Sequence, residues 1–176
     1  MNNLHDIIPG ESFLYNTLSK QLSLVRGNAT LIRQIKNPSE QVQLAAVQQD
    51  GWTIYYIPNP SEQVQIEAVK QSSDAILYID NPSEQVQIIA IQQYGPAIGI
   101  ILRKGIVPSI AVQRVAALRD PLWALHVMTV YNIPISKMIQ WFAAKRIKER
   151  NLFEELDKDI LDKLDLDVQN YLKSEP

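Results

Sequence analysis

The chain has 176 residues, of which 46% are hydrophobic and 20% charged, and its formal net charge is −2. This composition is typical of a globular protein, and the length suffices for one well-buried domain. Because the chain has no cysteine, disulfides, thiolate catalysis and Cys-based metal sites are excluded. No window approaches the ~18 uninterrupted apolar residues of a membrane span, and no secretory signal is visible, so we expect a cytoplasmic protein.

Three consecutive 22-residue units occupy residues 37–102. Each unit opens with the identical run Asn-Pro-Ser-Glu-Gln-Val-Gln and carries two isoleucines three residues apart near its end. Residues 1–36 are interpreted as an N-terminal segment that ends in a capping repeat, because residues 15–36 match the unit in weakened form.

The opening run of each unit predicts the start of a helix. Asn37 can cap the helix, Pro38 suits the first helical position because it has no N–H to leave unpaired, and Glu40 completes a capping box. The later units follow the same pattern, and we expect these helices to end near Gln49, Gln71 and Gln93.

A break and a shorter helix follow in each unit. The isoleucine pair predicts the short helix, which the next Asn-Pro stops. About five large aliphatics per unit cannot offset the entropy of ordering 22 residues, so neighbouring units must share a core. The predicted fold is all-α: an α-solenoid of short helix-turn-helix repeats with a 22-residue period and longer C-terminal helices.

Residues 103–131 are interpreted as a degenerate repeat, since Pro108-Ser109 and Val112-Gln113 reproduce the start of the unit at a spacing of 26. Residues 132–176 are predicted to form C-terminal helices that complete one continuous domain. A long helix should run from about Pro134 to Arg150, and Asn151 with Glu154 should open a last amphipathic helix through a capping box.

The unit N-P-S-E-Q-V-Q-x-x-A-[VI]-x-Q resembles short tandem helical repeats with an N-P-S-E-x-V-Q core. Such repeats occur in proteins of bacteriophages, large DNA viruses and bacteria and are grouped as domains of unknown function. The resemblance is close over residues 37–102, loose over 15–36 and 103–131, and slight beyond. It implies a helical solenoid and a phage origin, and it brings no catalytic motif.

Residues that differ between equivalent places in the units are candidates for partner contact, because solenoids bind through variable positions on a regular surface. Aromatic side chains often anchor such surfaces. The candidates on the short-helix side are Trp52, Tyr55, Asp74 and Tyr94, with Tyr56 and Tyr78 beside them. The alternative is that the rings complete the hydrophobic core between layers, and this interpretation is favoured for Tyr56 and Tyr78.

Glutamines also recur at equivalent places, as in Gln43, Gln65 and Gln87. They form either a polar binding ladder or contacts that hold the repeats together.

Charge is divided unevenly along the last third of the chain. Residues 103–150 carry nine bases and two acids, whereas residues 151–176 carry eight acids and three bases. A second candidate surface, suited to nucleic-acid phosphates or to an acidic protein, consists of Arg119, Trp141, Lys145, Arg146, Lys148 and Arg150. The alternative is that these cations stabilise a helix C-terminus and pair with the acidic tail.

The chain offers little for catalysis or metal binding. The aspartates of residues 157–167 lack the glycine and the terminal glutamate of a calcium loop. His126 lies in an apolar run and is interpreted as a packed or partly exposed core histidine. No serine-hydrolase, P-loop, dinucleotide or zinc-protease motif occurs. We therefore expect no catalytic residue, no metal, no cofactor and no enzymatic activity.

The leading hypothesis is a non-enzymatic protein-binding repeat protein, encoded by a phage and acting in the host cytoplasm as an adaptor or as an inhibitor of a host defence protein. The alternatives are nucleic-acid binding through the basic helix and a structural, self-assembling role as a homodimer. No membrane partner is expected.

Overall fold

The structure, a computed structural model, describes residues 17–174, so residues 1–16 of the predicted segment 1–36 and the last two residues of the predicted region 132–176 lie outside the described residues. The chain divides into two compact units, one ending at Ile79 and the other beginning at Asp80, which are called the first and the second unit. The 22-residue sequence units are called repeats from here on. All regular structure in residues 17–174 is helical, and helices pack against neighbours in chain order within each unit. The predicted all-α solenoid class is confirmed.

The first unit alternates α-helices with 3₁₀ helices. Its α-helices are α1 (Leu18–Gly27), α2 (Glu40–Gln49) and α3 (Glu62–Gln71). Its 3₁₀ helices are η1 (Ala29–Gln34), η2 (Gly51–Tyr56) and η3 (Ser73–Tyr78). The α-helices pack on one another in order, as do the 3₁₀ helices, so this unit has two layers. The predicted short second helix is a 3₁₀ helix here.

The second unit, taken by itself, also has two layers, and these are built mainly from α-helices. In chain order it contains α4 (Glu84–Gln93), α5 (Ala97–Arg103), α6 (Ile110–Arg119), α7 (Pro121–Val130), α8 (Lys137–Glu149), the 3₁₀ helix η4 (Phe153–Glu155), α9 (Lys158–Leu161) and α10 (Leu166–Lys173). Helices α4, α6, α8 and α10 pack in sequence as one layer, while α5 packs on α7 and α7 on α9. Residues 132–174 therefore extend the layers rather than form a separate element.

The repeat helices begin two residues later than the sequence predicts. Their caps are Ser39, Ser61 and Ser83, each with an extended backbone, and not the asparagines. Serine caps as well as asparagine, and the hydroxyl of Ser61 accepts from the Val64 N–H at 3.4 Å. Asn37 takes a left-handed conformation, with φ of 54°, which asparagine tolerates better than most residues. The predicted capping box of Asn37, Pro38 and Glu40 is wrong, whereas the ends at Gln49, Gln71 and Gln93 are confirmed.

A glutamine cap recurs at the start of six helices. In each, the fourth helical residue is a glutamine whose Nε2 donates to the carbonyl five residues earlier, at 2.8–3.1 Å. These residues are Gln43, Gln65, Gln87, Gln113, Gln140 and Gln169. The recurring glutamines thus hold the start of their own helices, and the pattern [Ser/Asp]-x-x-[Val/Ile]-Gln extends the repeat to residue 169.

The C-terminal helices differ from the sequence prediction in their bounds. Helix α8 begins at Lys137, capped by Ser136, and its 13 residues exceed the ten of the repeat helices. Asn151 does not open a helix, because its φ of 57° puts it in the left-handed region that ends α8. Instead of one amphipathic helix, the short elements η4, α9 and α10 follow.

The buried residues are those that the repeat pattern selects. Both isoleucines of each repeat are buried. Ile54 and Ile76, the first of the pair in two successive repeats, are 1% and 0% exposed. The recurring alanines Ala46 and Ala68 have no exposed surface, as expected where α2 and α3 pack closely.

Candidate functional site

Four aromatic side chains of the first unit form one cluster on the 3₁₀ layer. The ring centroids of Trp52 and Tyr78 are 5.5 Å apart, those of Tyr78 and Tyr55 5.2 Å, and those of Tyr55 and Tyr56 5.2 Å. The interplanar angles of 58–74° are the tilted and edge-to-face arrangements that aromatic pairs prefer. We call Trp52, Tyr55, Tyr56 and Tyr78 the aromatic surface.

The aromatic surface is open to solvent. Tyr55 is 65% exposed and Trp52 44%, while Tyr78 is half-buried. With Thr30, Asp50 and Thr53, the four rings line a depression of about 250 Å³. Among the described lining residues, Asp50 is the one with a formal charge.

The backbone that carries these rings is held by local hydrogen bonds. Asp50 caps η2, and its Oδ1 accepts from the Trp52 N–H at 3.0 Å. The buried Thr53 hydroxyl donates to the Asp50 carbonyl at 2.7 Å. Because side chains at i and i+3 align in a 3₁₀ helix, Trp52 and Tyr55 lie on one side of η2.

Gly51 fixes η2 against the next repeat. Its N–H donates to Gln71 Oε1 at 2.7 Å, and a Cβ at this position would lie 2.5 Å from the Ala68 carbonyl oxygen. Only glycine fits this approach without a shift of backbone. The aromatic surface therefore stands on a well-packed base.

Two of the four rings, Trp52 and Tyr55, occupy positions that vary between repeats, whereas Tyr56 and Tyr78 hold the same repeat position in successive repeats. At 22-residue spacing, Trp52 corresponds to Thr30 and Asp74, and Tyr55 corresponds to Arg33 and Leu77. The buried isoleucine between them, Ile54, is isoleucine at the equivalent places in the neighbouring repeats as well. Of the predicted contact residues, Trp52 and Tyr55 are thus brought together, and Tyr56 and Tyr78 join them.

The other two contact residues predicted from the repeats, Asp74 and Tyr94, are not part of the aromatic surface. Asp74 is half-buried in η3 and is not among the residues that line the depression. Tyr94 is 47% exposed at the end of α4, in the second unit.

Two arginines of the predicted basic surface cap helices inside the second unit. Arg119 Nε donates to the Gln92 carbonyl at 3.0 Å, at the end of α4. Arg150 Nη1 donates in the same way to the Arg119 carbonyl at 3.1 Å, at the end of α6. These contacts satisfy carbonyls that a helix end leaves without intrahelical partners.

The other members of the predicted basic surface also have contacts within the unit. Arg146 pairs with Glu149 at 2.8 Å, and Lys145 lies 4.0 Å from the same carboxylate while remaining 69% exposed. Lys148 donates to the Ser174 carbonyl at 2.7 Å and lies 4.7 Å from the Tyr171 ring centroid.

Trp141 is half-buried, with its ring centroid 4.9 Å from that of Tyr171. Lys148 and Trp141 therefore contact the C-terminal residues, whereas Lys145 and Arg146 pair with a carboxylate of their own helix.

One ion pair joins α8 to the acidic tail. Lys137 Nζ lies 2.7 Å from Asp167 Oδ2, with both side chains more than half exposed. The hydrogen bond from Lys137 lowers the pKa of the Asp167 carboxyl, and the same bond raises the pKa of Lys137. Both groups are on the surface, so solvent screens the pair.

Trp123 and His126 are exposed neighbours on α7, and neither was singled out as a site residue from the sequence. Trp123 is 39% exposed and His126 is exposed beside it, with ring centroids 5.8 Å apart and an interplanar angle of 29°. The i, i+3 spacing of the two rings on α7 was the available signal. From the sequence, His126 was interpreted as a packed or partly exposed core histidine; the residue is exposed, so the packed alternative is wrong.

No protein-family model, curated protein or solved structure matches the chain. Within residues 17–174, no helix has both the length and the apolar character needed to cross a bilayer. In the same residues, His, Asp and Glu side chains form no group of three or more able to hold a metal ion.

Proposed function

We propose that the chain is a non-enzymatic repeat protein that binds another protein through the aromatic surface. The observation that carries this proposal is the exposed cluster of Trp52, Tyr55, Tyr56 and Tyr78, in which Trp52 and Tyr55 stand at positions that vary between repeats. Trp and Tyr are enriched among the residues that dominate binding energy at protein interfaces. An adaptor or an inhibitor acting in the cytoplasm fits a scaffold of this kind.

A protein partner suits this surface better than a nucleic acid does. The depression beside the rings is lined by one carboxylate, Asp50, which repels phosphate. The predicted nucleic-acid surface has much of its charge engaged within the second unit: Arg119 and Arg150 bind backbone carbonyls, and Lys148 binds Ser174. Nucleic-acid binding is therefore the less favoured function.

A photo-crosslinking amino acid at position 55 tests the proposal in bacterial cells. Tyr55 is the most exposed ring of the cluster, and Tyr131, 40% exposed in the second unit, provides the matched control position. We expect one discrete protein adduct from position 55 and none of the same mass from position 131. Equal adducts from both positions would show non-specific contact and contradict the proposal.

Alanine variants then measure the contribution of the rings. We expect Trp52→Ala/Tyr55→Ala to reduce capture of the crosslinked partner at least about tenfold, because interface anchors commonly exceed 1 kcal/mol each. Val130→Ala/Tyr131→Ala removes two exposed apolar side chains elsewhere and should leave capture unchanged. Circular dichroism checks that both variants remain folded. Retained capture by the first variant would move the binding site away from the aromatic surface.

A further inference from the structure

The second unit contains a groove between α7 and the segment 155–160. Its volume is about 420 Å³, within the ~300–1,000 Å³ typical of sites for small ligands and side chains. Aliphatic side chains of α7 and α9 supply apolar walls, and Trp123 and His126 supply an aromatic side. Three carboxylates complete the lining: those of Asp120, Glu155 and Asp157.

The aromatic side of the groove is held in place from behind. A Cβ at Gly99 of α5 would lie 3.4 Å from the Trp123 ring, an ordinary van der Waals distance, so the indole packs close to the α5 backbone. The His126 imidazole stacks beside the indole at an interplanar angle of 29°. Both rings remain exposed, Trp123 at 39%, so aromatic surface stays open at the groove, which suits cations that stack on aromatic rings.

Two of the carboxylates are fixed by the backbone. Asp120 Oδ1 accepts from the Trp123 N–H at 3.2 Å, and Asp157 Oδ1 accepts from the Asp159 N–H at 2.8 Å. A carboxylate has two oxygens and about four lone-pair positions, so each retains acceptor capacity after this bond. No lysine or arginine of the described chain lines the groove. Its charge is therefore complementary to a cation.

We propose that this groove binds an arginine side chain of a partner polypeptide. A guanidinium stacks on an aromatic face and donates to carboxylates in a planar fork, and its aliphatic stem fits apolar walls. Lysine meets the charge requirement but not the stacking requirement. The groove belongs to the second unit and does not depend on the aromatic surface of the first.

The probe for this site is the peptide acetyl-Gly-Arg-Gly-amide, added to the intact ¹⁵N-labelled chain and followed by NMR. We expect saturable shifts of the Trp123 indole N–H, with the indoles of Trp52 and Trp141 unmoved. The citrulline peptide has the same shape without the charge and should bind at least about tenfold more weakly, since it loses the ion pairs and the cation–π contact. Absence of a Trp123 shift, or equal shifts from citrulline, would overturn the proposal.

A pair of charge-matched variants separates the groove from the general acidity of the tail. Glu155→Gln/Asp157→Asn removes two groove charges, and asparagine retains the capping ability of residue 157. Asp159→Asn/Asp162→Asn removes two charges from the same segment outside the groove. We expect roughly fivefold weaker arginine-peptide binding in the first variant and less than a twofold change in the second. Equal weakening in both would assign the attraction to the tail as a whole and reject the groove.

Discussion

Gln140 is the capping glutamine whose loss should cost the most stability. Its Nε2 donates to the Ile135 carbonyl at 3.1 Å, and its Oε1 accepts from the Asp165 N–H at 2.8 Å, so one side chain joins the starts of α8 and α10. The residue is 8% exposed. Methionine in its place keeps the length of the side chain but removes both bonds, which leaves two backbone groups without these partners.

The expected magnitude follows from those two groups. A buried backbone group left unpaired costs about 1–3 kcal/mol, and the lower end applies here because both bonds are partly buried. The free energy of unfolding should therefore fall by about 2 kcal/mol. For a chain of this size, that loss lowers the melting temperature by roughly 4–8 °C.

Two further glutamines of the second unit calibrate the result. Gln87 makes one such bond, to the Pro82 carbonyl, while its buried Oε1 has no partner in the described structure, so Gln87→Met should cost about 1 kcal/mol or less. Gln85 is exposed on the same helix, and Gln85→Met should stay within about 0.5 kcal/mol of the wild type.

Thermal unfolding followed by circular dichroism ranks the three variants, and hydrogen exchange at the Asp165 amide tests the bond itself. If Gln140→Met melts together with Gln85→Met, or the Asp165 amide keeps its protection, the glutamine caps do not stabilise the helices.

Two other predictions concern a glycine contact and an ion pair. Gly51→Ala should destabilise the chain by about 1–3 kcal/mol, since its Cβ would meet the Ala68 carbonyl. Gly27→Ala has open space around it and should be neutral or stabilising by up to ~1 kcal/mol. Denaturant unfolding of both variants compares their free energies of unfolding. The stability from the Lys137–Asp167 pair should be present at neutral pH, disappear in acid as the pH falls through the lowered Asp167 pKa, and disappear in alkali as the pH rises through the raised Lys137 pKa. In Lys137→Gln the Asp167 pKa should rise towards its ordinary value, and an NMR titration of the carboxyl carbon that shows no rise would contradict this assignment.

The repeat pattern was sufficient to predict the helices and their packing, but not how they begin. Asn37 and Ser39 are both strong capping residues two positions apart, and the choice depends on the glutamine cap, which fits the serine register alone. The C-terminal repeats do not recur at a fixed 22-residue spacing because the connections between their helices are longer than those of the earlier repeats. The Ser136–Gln140 pattern is nevertheless intact.

The candidate site was only partly predictable, because exposure depends on the layer in which a residue lies. Trp52 and Tyr55 stood out as variable aromatics, and the structure clusters them. Arg119 and Arg150 looked equally free in sequence, yet their reach to carbonyls about 30 residues earlier exists only once the helices stack. Trp123 could not be predicted as exposed, because the sequence of an apolar helix does not show which side of the helix remains open at the groove.

The two layers of the first unit differ in the positions that they keep from repeat to repeat. In both units, α2, α3, α4, α6 and α8 each begin with a serine at the N-cap and a glutamine that bonds to the carbonyl five residues earlier. The 3₁₀ layer of the first unit keeps its buried isoleucines, while outward positions such as those of Trp52 and Tyr55 change from repeat to repeat without loss of that packing. The aromatic surface, which we propose as the binding site, combines both kinds of position: Trp52 and Tyr55 are substitutions particular to one repeat, and Tyr56 and Tyr78 are the same residue in two successive repeats.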